Sequence, residues 1–271
     1  MLRYLAIFFT FTAWADNHAY RAAIENWRQQ KEVALKADGG WLTVTGLFWL
    51  NEGENRVANA PGVFELRGGK TVFRADRGAS VTAAGKPVST IEMDPRTSID
   101  AGSLTLSVIE RGGRYGVRVK DKQSKLRKDF RGQQWFPVRE QFRIQAKFVT
   151  YPKPKPVAIL NIIGNHLQLP SPGYAVFKID GRETRLEPVL EEGDKELFFI
   201  FRDQTAGKET YPAGRYLYTD LPRGGKVEID FNKAENPPCA WTPYATCPLP
   251  TPQNRLQLAI TAGEQMYRKP K

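Results

Sequence analysis

The chain has 271 residues, of which 41% are hydrophobic and 25% charged, with two cysteines, two histidines and a formal net charge of +11. That length buries a full core as one large β domain or two smaller ones, so folding need not rest on cysteine cross-links. Two cysteines with no histidine nearby make a poor zinc site, and the interleaving of positive and negative residues gives no continuous basic face for nucleic acid.

Residues 1–15 read as a secretory signal: Arg3 supplies a short positive region, Tyr4 to Thr12 is apolar, and Ala13-Trp14-Ala15 has the small-x-small form of a cleavage site. The alternative is a buried first strand. The apolar run is too short to span a bilayer, and no cysteine stands at the cleavage point to carry a lipid. The expectation is a periplasmic or secreted protein whose mature chain has no transmembrane segment and forms a single β-rich domain over 16–271. Loss of Arg3 with the signal leaves 39 basic against 29 acidic residues.

Tyr20, Ala23, Ile24, Trp27, Lys31, Ala34 and Leu35 then fall at the i, i+3, i+4, i+7 spacing of one helical face, broken only by Lys31. Asp38-Gly39-Gly40 ends this amphipathic helix. The segment from Trp41 to Asn55 opens with strand-like alternation and closes on a turn, where Glu52 and Glu54 flank Gly53. From Val63 to Val119 short alternating stretches are punctuated by Gly68-Gly69, Gly85-Lys86-Pro87 and Gly112-Gly113, the pattern of a sandwich or barrel. A basic cluster, Lys120, Lys122, Lys125, Arg127, Lys128 and Arg131, is diluted by Asp121 and Asp129 and reads as a solvated loop or hairpin.

Arg143 to Thr150 alternates again, and Val157 to Ile163 is an apolar strand. Between them Pro152, Pro154 and Pro156 mark a stiff connector, either a surface loop or the place near 150–157 where two subdomains would join. Tyr174 to Ile179, Asp180-Gly181 and Arg182 to Val189 carry the clearest hairpin signal, because an Asp-Gly pair suits the primed turn that matches strand twist. Leu197 to Phe201 leads into F-R-D-Q-T-A-G-K-E-T-Y-P-A-G-R-Y-L, which lacks the upstream glycine and the Ser or Thr of a phosphate loop. Arg215 to Leu221 and Lys226 to Phe231 form another antiparallel pair, and Leu256, Leu258 and Ile260 mark a closing strand. The fold class is therefore mainly β, with antiparallel sandwich or barrel-like sheets and an N-terminal amphipathic helix.

Asp230 to Arg255 stands apart, with six prolines, both cysteines and the residues Asn236, Trp241, Tyr244, Asn254 and Arg255. So much proline excludes a helix or an inner strand, leaving a crossover loop held by side chains or a covalent link. In an oxidising compartment Cys239 and Cys247 are expected to form a disulfide, worth about 2–3 kcal/mol for so short a loop. A reactive thiol is the alternative, and it finds no local histidine as a base. His166 likewise lacks a serine or cysteine tied to it by a local motif.

G-L-F-W-L-N-E-G-E-N, F-I-F-R-D-Q-T-A-G-K-E-T-Y-P-A-G-R-Y-L and above all D-F-N-K-A-E-N-P-P-C-A-W-T-P-Y-A-T-C-P-L-P-T-P-Q-N-R-L resemble a widespread bacterial family known only as a domain of unknown function. The likeness runs from Ala19 to Tyr267. It departs from the family pattern after Asn55, where G-E-N-R-V-A-N-A-P-G replaces a longer segment beginning G-E-N-x-I-G. The resemblance implies a shared fold and a shared site, and no reaction.

For that site, Arg202, Lys208, Arg215 and Arg255 are positioned in sequence to receive an anion, with Tyr211, Trp241 and Tyr244 as walls and Asn236 and Asn254 as a polar frame. A small anionic or polyhydroxylated ligand is expected, and an anionic envelope polymer is a candidate partner. Glu52, Asp203 and Glu209 are the acid/base candidates if the protein is instead a hydrolase; Asp203 and Glu209 would otherwise be structural partners of the cations. A third reading is an envelope interaction or scaffold protein. No cofactor and no metal is expected.

Overall fold

A helix lying against antiparallel sheets is the plan of the chain, seen in a computed structural model that describes residues 9–190 and 193–268, with side chains from His18 onward. Helix α1 spans Phe9–Lys36. Of the signal expected at 1–15, residues 1–8 lie outside the described residues and 9–15 are the start of α1. Among the described residues sixteen strands follow: β1 (Val44–Trp49), β2 (Gly53–Arg56), β3 (Gly62–Arg67), β4 (Lys70–Ala75), β5 (Thr82–Ala83), β6 (Lys86–Pro87), β7 (Thr90–Met93) and β8 (Ser98–Ala101). After them come β9 (Leu104–Arg111), β10 (Arg114–Asp121), the short helix α2 (Lys125–Lys128), β11 (Arg143–Leu160), β12 (His166–Ile179) and β13 (Arg182–Leu186). The last are β14 (Glu196–Phe201), β15 (Arg215–Asp220) and β16 (Lys226–Asp230).

Two sheets form the first half, a six-stranded one ordered β1-β10-β9-β8-β5-β6 and a four-stranded one ordered β2-β3-β4-β7. Their inward residues, among them Phe64, Phe73, Ile99, Leu106 and Val117, make one apolar cluster. The alternation that buries these side chains leaves Arg67, Arg114 and Lys120 on outer faces or edges, as expected for sheets packed on one side. The second half pairs β13-β12-β11-β16 with the β14–β15 ribbon. Phe148, Phe177, Phe199, Phe201, Ile229 and Phe231 fill its core. The two clusters thus draw on 57–119 and on 142–262.

The expected hairpin is present, with Asp180 and Gly181 at φ 48° and 75°, the left-handed values a primed turn requires. The prolines at 152, 154 and 156 lie inside a strand and not between elements, because β11 continues through them. β16 covers only Arg143–Lys147 of β11, so beyond that point β11 is a sheet edge, where a missing N–H costs no ladder bond, and its register shifts between Thr150 and Lys155.

The closing strand expected at Leu256–Ile260 does not form a ladder, although Leu256, Leu258, Ile260 and Ala262 are buried in alternation. Arg202 and Gln204 pair with it in parallel over a short stretch, their N–H groups donating to the Asn254 and Leu258 carbonyls and the Leu256 N–H donating to the Arg202 carbonyl, and side chains continue the support beyond. Arg215 Nη2 donates to the Ile260 carbonyl at 2.9 Å and Nη1 to that of Ala262, while Asp203 Oδ1 accepts from the Ile260 N–H at 3.3 Å.

Candidate functional site

The polar break in the α1 stripe is where the site begins. Lys31 sits among Ile24, Trp27, Arg28 and Leu35 on the face turned to the protein, and its ammonium lies 2.8 Å from Glu235 Oε2. Tyr20 donates to Asp230 at 3.0 Å and Arg28 Nη2 to the Asn232 carbonyl at 3.4 Å, which fixes the helix along the start of the proline-rich segment. Glu235 is held in turn by a two-way backbone bridge to Tyr216 of β15, with both N–H to O distances at 2.9 Å.

Between α1 and this segment lies a hollow of about 570 Å³, with Lys31, Trp41, Tyr218, Glu235, Trp241 and Glu264 in its lining. A groove of about 810 Å³ adjoins it and shares Lys31, Tyr218 and Glu235. Glu264 is 1% exposed; its oxygens accept from Gln133 Nε2 at 2.9 Å and from the Asn236 N–H at 2.7 Å. Burial pushes its carboxyl up to about 8, with the Glu235 charge adding to the shift. Burial also raises Glu235, against the opposing pull of Lys31. A carboxyl that keeps its proton at neutral pH can donate. Gln133 Oε1 has no donor as placed, and turning that amide end for end offers it the Glu264 O–H. The cleft thus holds one cation, one carboxyl at its mouth and one in its floor whose proton burial favours, between aromatic walls.

A family model described as "Protein of unknown function (DUF1684)" matches residues 128–265. The chain belongs to this family. The DUF1684 segment contains Tyr218, Glu235, Trp241 and Glu264, and leaves out the α1 residues Trp27 and Lys31 that face them. Among solved structures, the chain is similar to the solution NMR structure of an uncharacterized protein of Haloarcula marismortui, at 31% identity over 51% of this chain and 78% of that one, with a TM-score of 0.44. No curated protein matches.

Within the DUF1684 segment the residues expected to form one site divide into several places. Asn236 and Trp241 line the hollow. Arg202 and Arg255 meet across a parallel backbone bridge and line a separate depression of about 370 Å³ with Gln204 and Gln257. Arg215 is 1% exposed and its Nη groups donate to Asp203, at 2.7 Å, and to the Ile260 and Ala262 carbonyls, so it is a buried structural partner and no ligand reaches it. Asp203 is buried with it and also accepts from Thr205, which leaves it no catalytic access.

Asn254 is buried as a clamp, accepting from the Glu187 N–H at 2.9 Å and donating to the Glu187 and Ile200 carbonyls. Tyr211 donates to the Cys239 carbonyl at 3.1 Å. Lys208, Glu209 and Tyr244 are exposed and line none of these hollows. Glu52 is exposed in the turn before β2, where it accepts from the Gly68 N–H at 2.8 Å. Cys239 and Cys247 lie side by side as free thiols. Among the described residues no group of three or more His, Cys, Asp or Glu could hold a metal ion, and no helix is long and apolar enough to cross a membrane.

Lys31, Tyr218, Glu235 and Glu264 are absent from the expected set. Lys31 did announce itself as the one charge in an apolar helical stripe, a position that calls for a buried partner. Glu264 lies in an unremarkable Gly263-Glu264-Gln265, and nothing local marks it.

Proposed function

We propose that the protein binds a small polyhydroxylated molecule, of the saccharide or polyol class, in the cleft between α1 and the Ala234–Trp241 segment. One observation carries this reading: Lys31, Glu235 and Glu264 converge in a hollow walled by Trp41, Tyr218 and Trp241. Aromatic faces pack against the apolar faces of a sugar ring, and paired acceptors and donors suit its hydroxyls. An anionic ligand fits less well, since the single lysine of the hollow is already paired with Glu235, and Arg202, Arg215 and Arg255 are buried or on another surface.

The reading includes export. Cleavage after Ala15 would leave every α1 contact named above, because they begin at Tyr20. Intrinsic tryptophan fluorescence of the protein, titrated with neutral oligosaccharides and with inorganic phosphate, tests the ligand class. A saturable change with a neutral sugar, lost in E235A, supports it; a response to phosphate alone removes it.

Hydrolysis is a second reading, favoured by the raised carboxyls of Glu235 and Glu264 in one cleft. It takes over the role expected of Glu52, Asp203 and Glu209. Release of product from a bound oligosaccharide, lost in E235Q, would support it.

A further inference from the structure

The chain's two cysteines are Cys239 and Cys247, at the ends of a loop that contains Pro243 and opens on the tight turn Pro238–Ala240. The turn Pro238–Ala240 aims the Cys239 N–H at Cys247 Sγ, 3.1 Å away, and the two thiols share a hydrogen bond. Their surroundings differ. Cys239 is partly exposed, while Cys247 is 4% exposed and packed among Val157, Ile159, Val189, Ile200 and Tyr216. A hydrogen bond from the Cys247 thiol, and the Tyr211 hydroxyl nearby, favour the Cys239 thiolate and lower its pKa against the effect of burial. Donating that bond, and then burial, raise the pKa of Cys247 and outweigh the Cys239 N–H that its sulfur accepts. A partly exposed sulfur whose ionisation is favoured, beside a covered one whose ionisation is opposed, is the arrangement of an attacking and a resolving thiol.

We propose that Cys239 is the nucleophile and Cys247 the resolving thiol of a reversible dithiol–disulfide couple that exchanges with low-molecular-weight disulfides. The Cys239 thiolate attacks one sulfur of RSSR, the S–S bond breaks, and RS⁻ departs. Cys247 passes its proton to that thiolate and attacks Cys239 Sγ, breaking the mixed disulfide and expelling the second RS⁻, which takes a proton from water. One RSSR is reduced to two RSH, and the protein dithiol is oxidised to a disulfide, with two electrons moving from protein to reagent. This goes beyond a fixed cross-link, because it assigns an order of attack and a reversible exchange, and it stands whether or not the cleft binds a sugar.

The test uses the reduced full chain with oxidised glutathione, read by mass spectrometry of intact and digested protein. Wild type should form the Cys239–Cys247 disulfide without a lasting adduct. C247S should trap one glutathione on Cys239, and C239S should react about tenfold more slowly or less. Equal trapping on both serine variants, or a wild type carrying two glutathiones, would overturn the assignment. Substoichiometric iodoacetamide on wild type, which needs no variant to fold, should label Cys239 first; first labelling at Cys247 would also overturn it.

Discussion

Lys31 of α1 lies 2.8 Å from Glu235, and its ammonium also stands 5.3 Å from the Trp27 ring and 5.8 Å from the Tyr218 ring. One side chain therefore ties the helix to the sheet and sets the charge of the cleft mouth. The Lys31 and Glu235 side chains are 36% and 17% exposed, so the pair is screened on one side only.

Removing that ammonium should leave Glu235 with the burial that raises its pKa and nothing to oppose it. In K31M the Glu235 carboxyl should titrate at higher pH than in wild type, measured by NMR of the labelled side chain. A Glu235 titration that does not move would mean that the two groups are not coupled.

Glu264 gives stability a pH dependence of known sign. Its folded value of about 8 lies above the ordinary 4.5, so below pH 4.5 both folded and unfolded chains hold the proton and the group is neutral to folding. As pH rises from there the unfolded chain releases the proton first, and stability falls until the folded form ionises too, near pH 8. In E264Q that loss should vanish, with the new amide donating to Gln133 Oε1 and accepting from the Asn236 N–H. Denaturation from pH 4 to 9 should show the variant gaining on wild type by up to about 1.4 kcal/mol per pH unit through the window. A constant difference would contradict the assignment.

The Asp203–Arg215 pair should be structural and costly to break. D203A leaves a wholly buried guanidinium without its counter-charge and frees the Ile260 N–H, so a loss of about 3–5 kcal/mol is expected in urea unfolding. Ligand affinity per folded molecule should stay unchanged. An affinity loss without a stability loss would return these residues to the site.

Asn254 makes a related prediction. N254A strands the Glu187 N–H and the Glu187 and Ile200 carbonyls in the interior, and about 1–3 kcal/mol per unsatisfied group sets the scale. Thermal unfolding should fall clearly below that of R255A, whose exposed side chain anchors nothing in the core.

The periods of the sequence carried the fold: alternation in Leu104–Val108, the Asp180-Gly181 turn and the α1 stripe all appear where their patterns place them. The patterns were blind to what pairs across long separations. β11 was read as two strands because proline breaks an inner strand, and only the short reach of β16 shows that this stretch is an edge. The Leu256–Ile260 alternation has the period of a strand, yet the segment pairs only briefly with Arg202–Gln204, and from Ile260 onward Asp203 and Arg215 side chains bind its backbone. Of the residues expected to form a site, Asn236 and Trp241 line the hollow proposed as the binding place. Of Arg202, Asp203 and Arg215, crowded in sequence, only Asp203 and Arg215 converge, as a buried pair, because strand alternation turns those two inward and Arg202 outward. Glu235 and Glu264 meet only through tertiary packing, which leaves no local mark.

The central claim is the ligand class and place of the cleft, and a two-dimensional NMR titration of the labelled protein with a neutral oligosaccharide tests it most directly. Saturable shifts at the Trp41 and Trp241 indole N–H groups and at Glu235 and Asn236 backbone amides, with Arg202 and Arg255 amides unmoved, are the predicted result. Shifts confined to the Arg202–Arg255 depression, or produced by phosphate and by no neutral sugar, would contradict it.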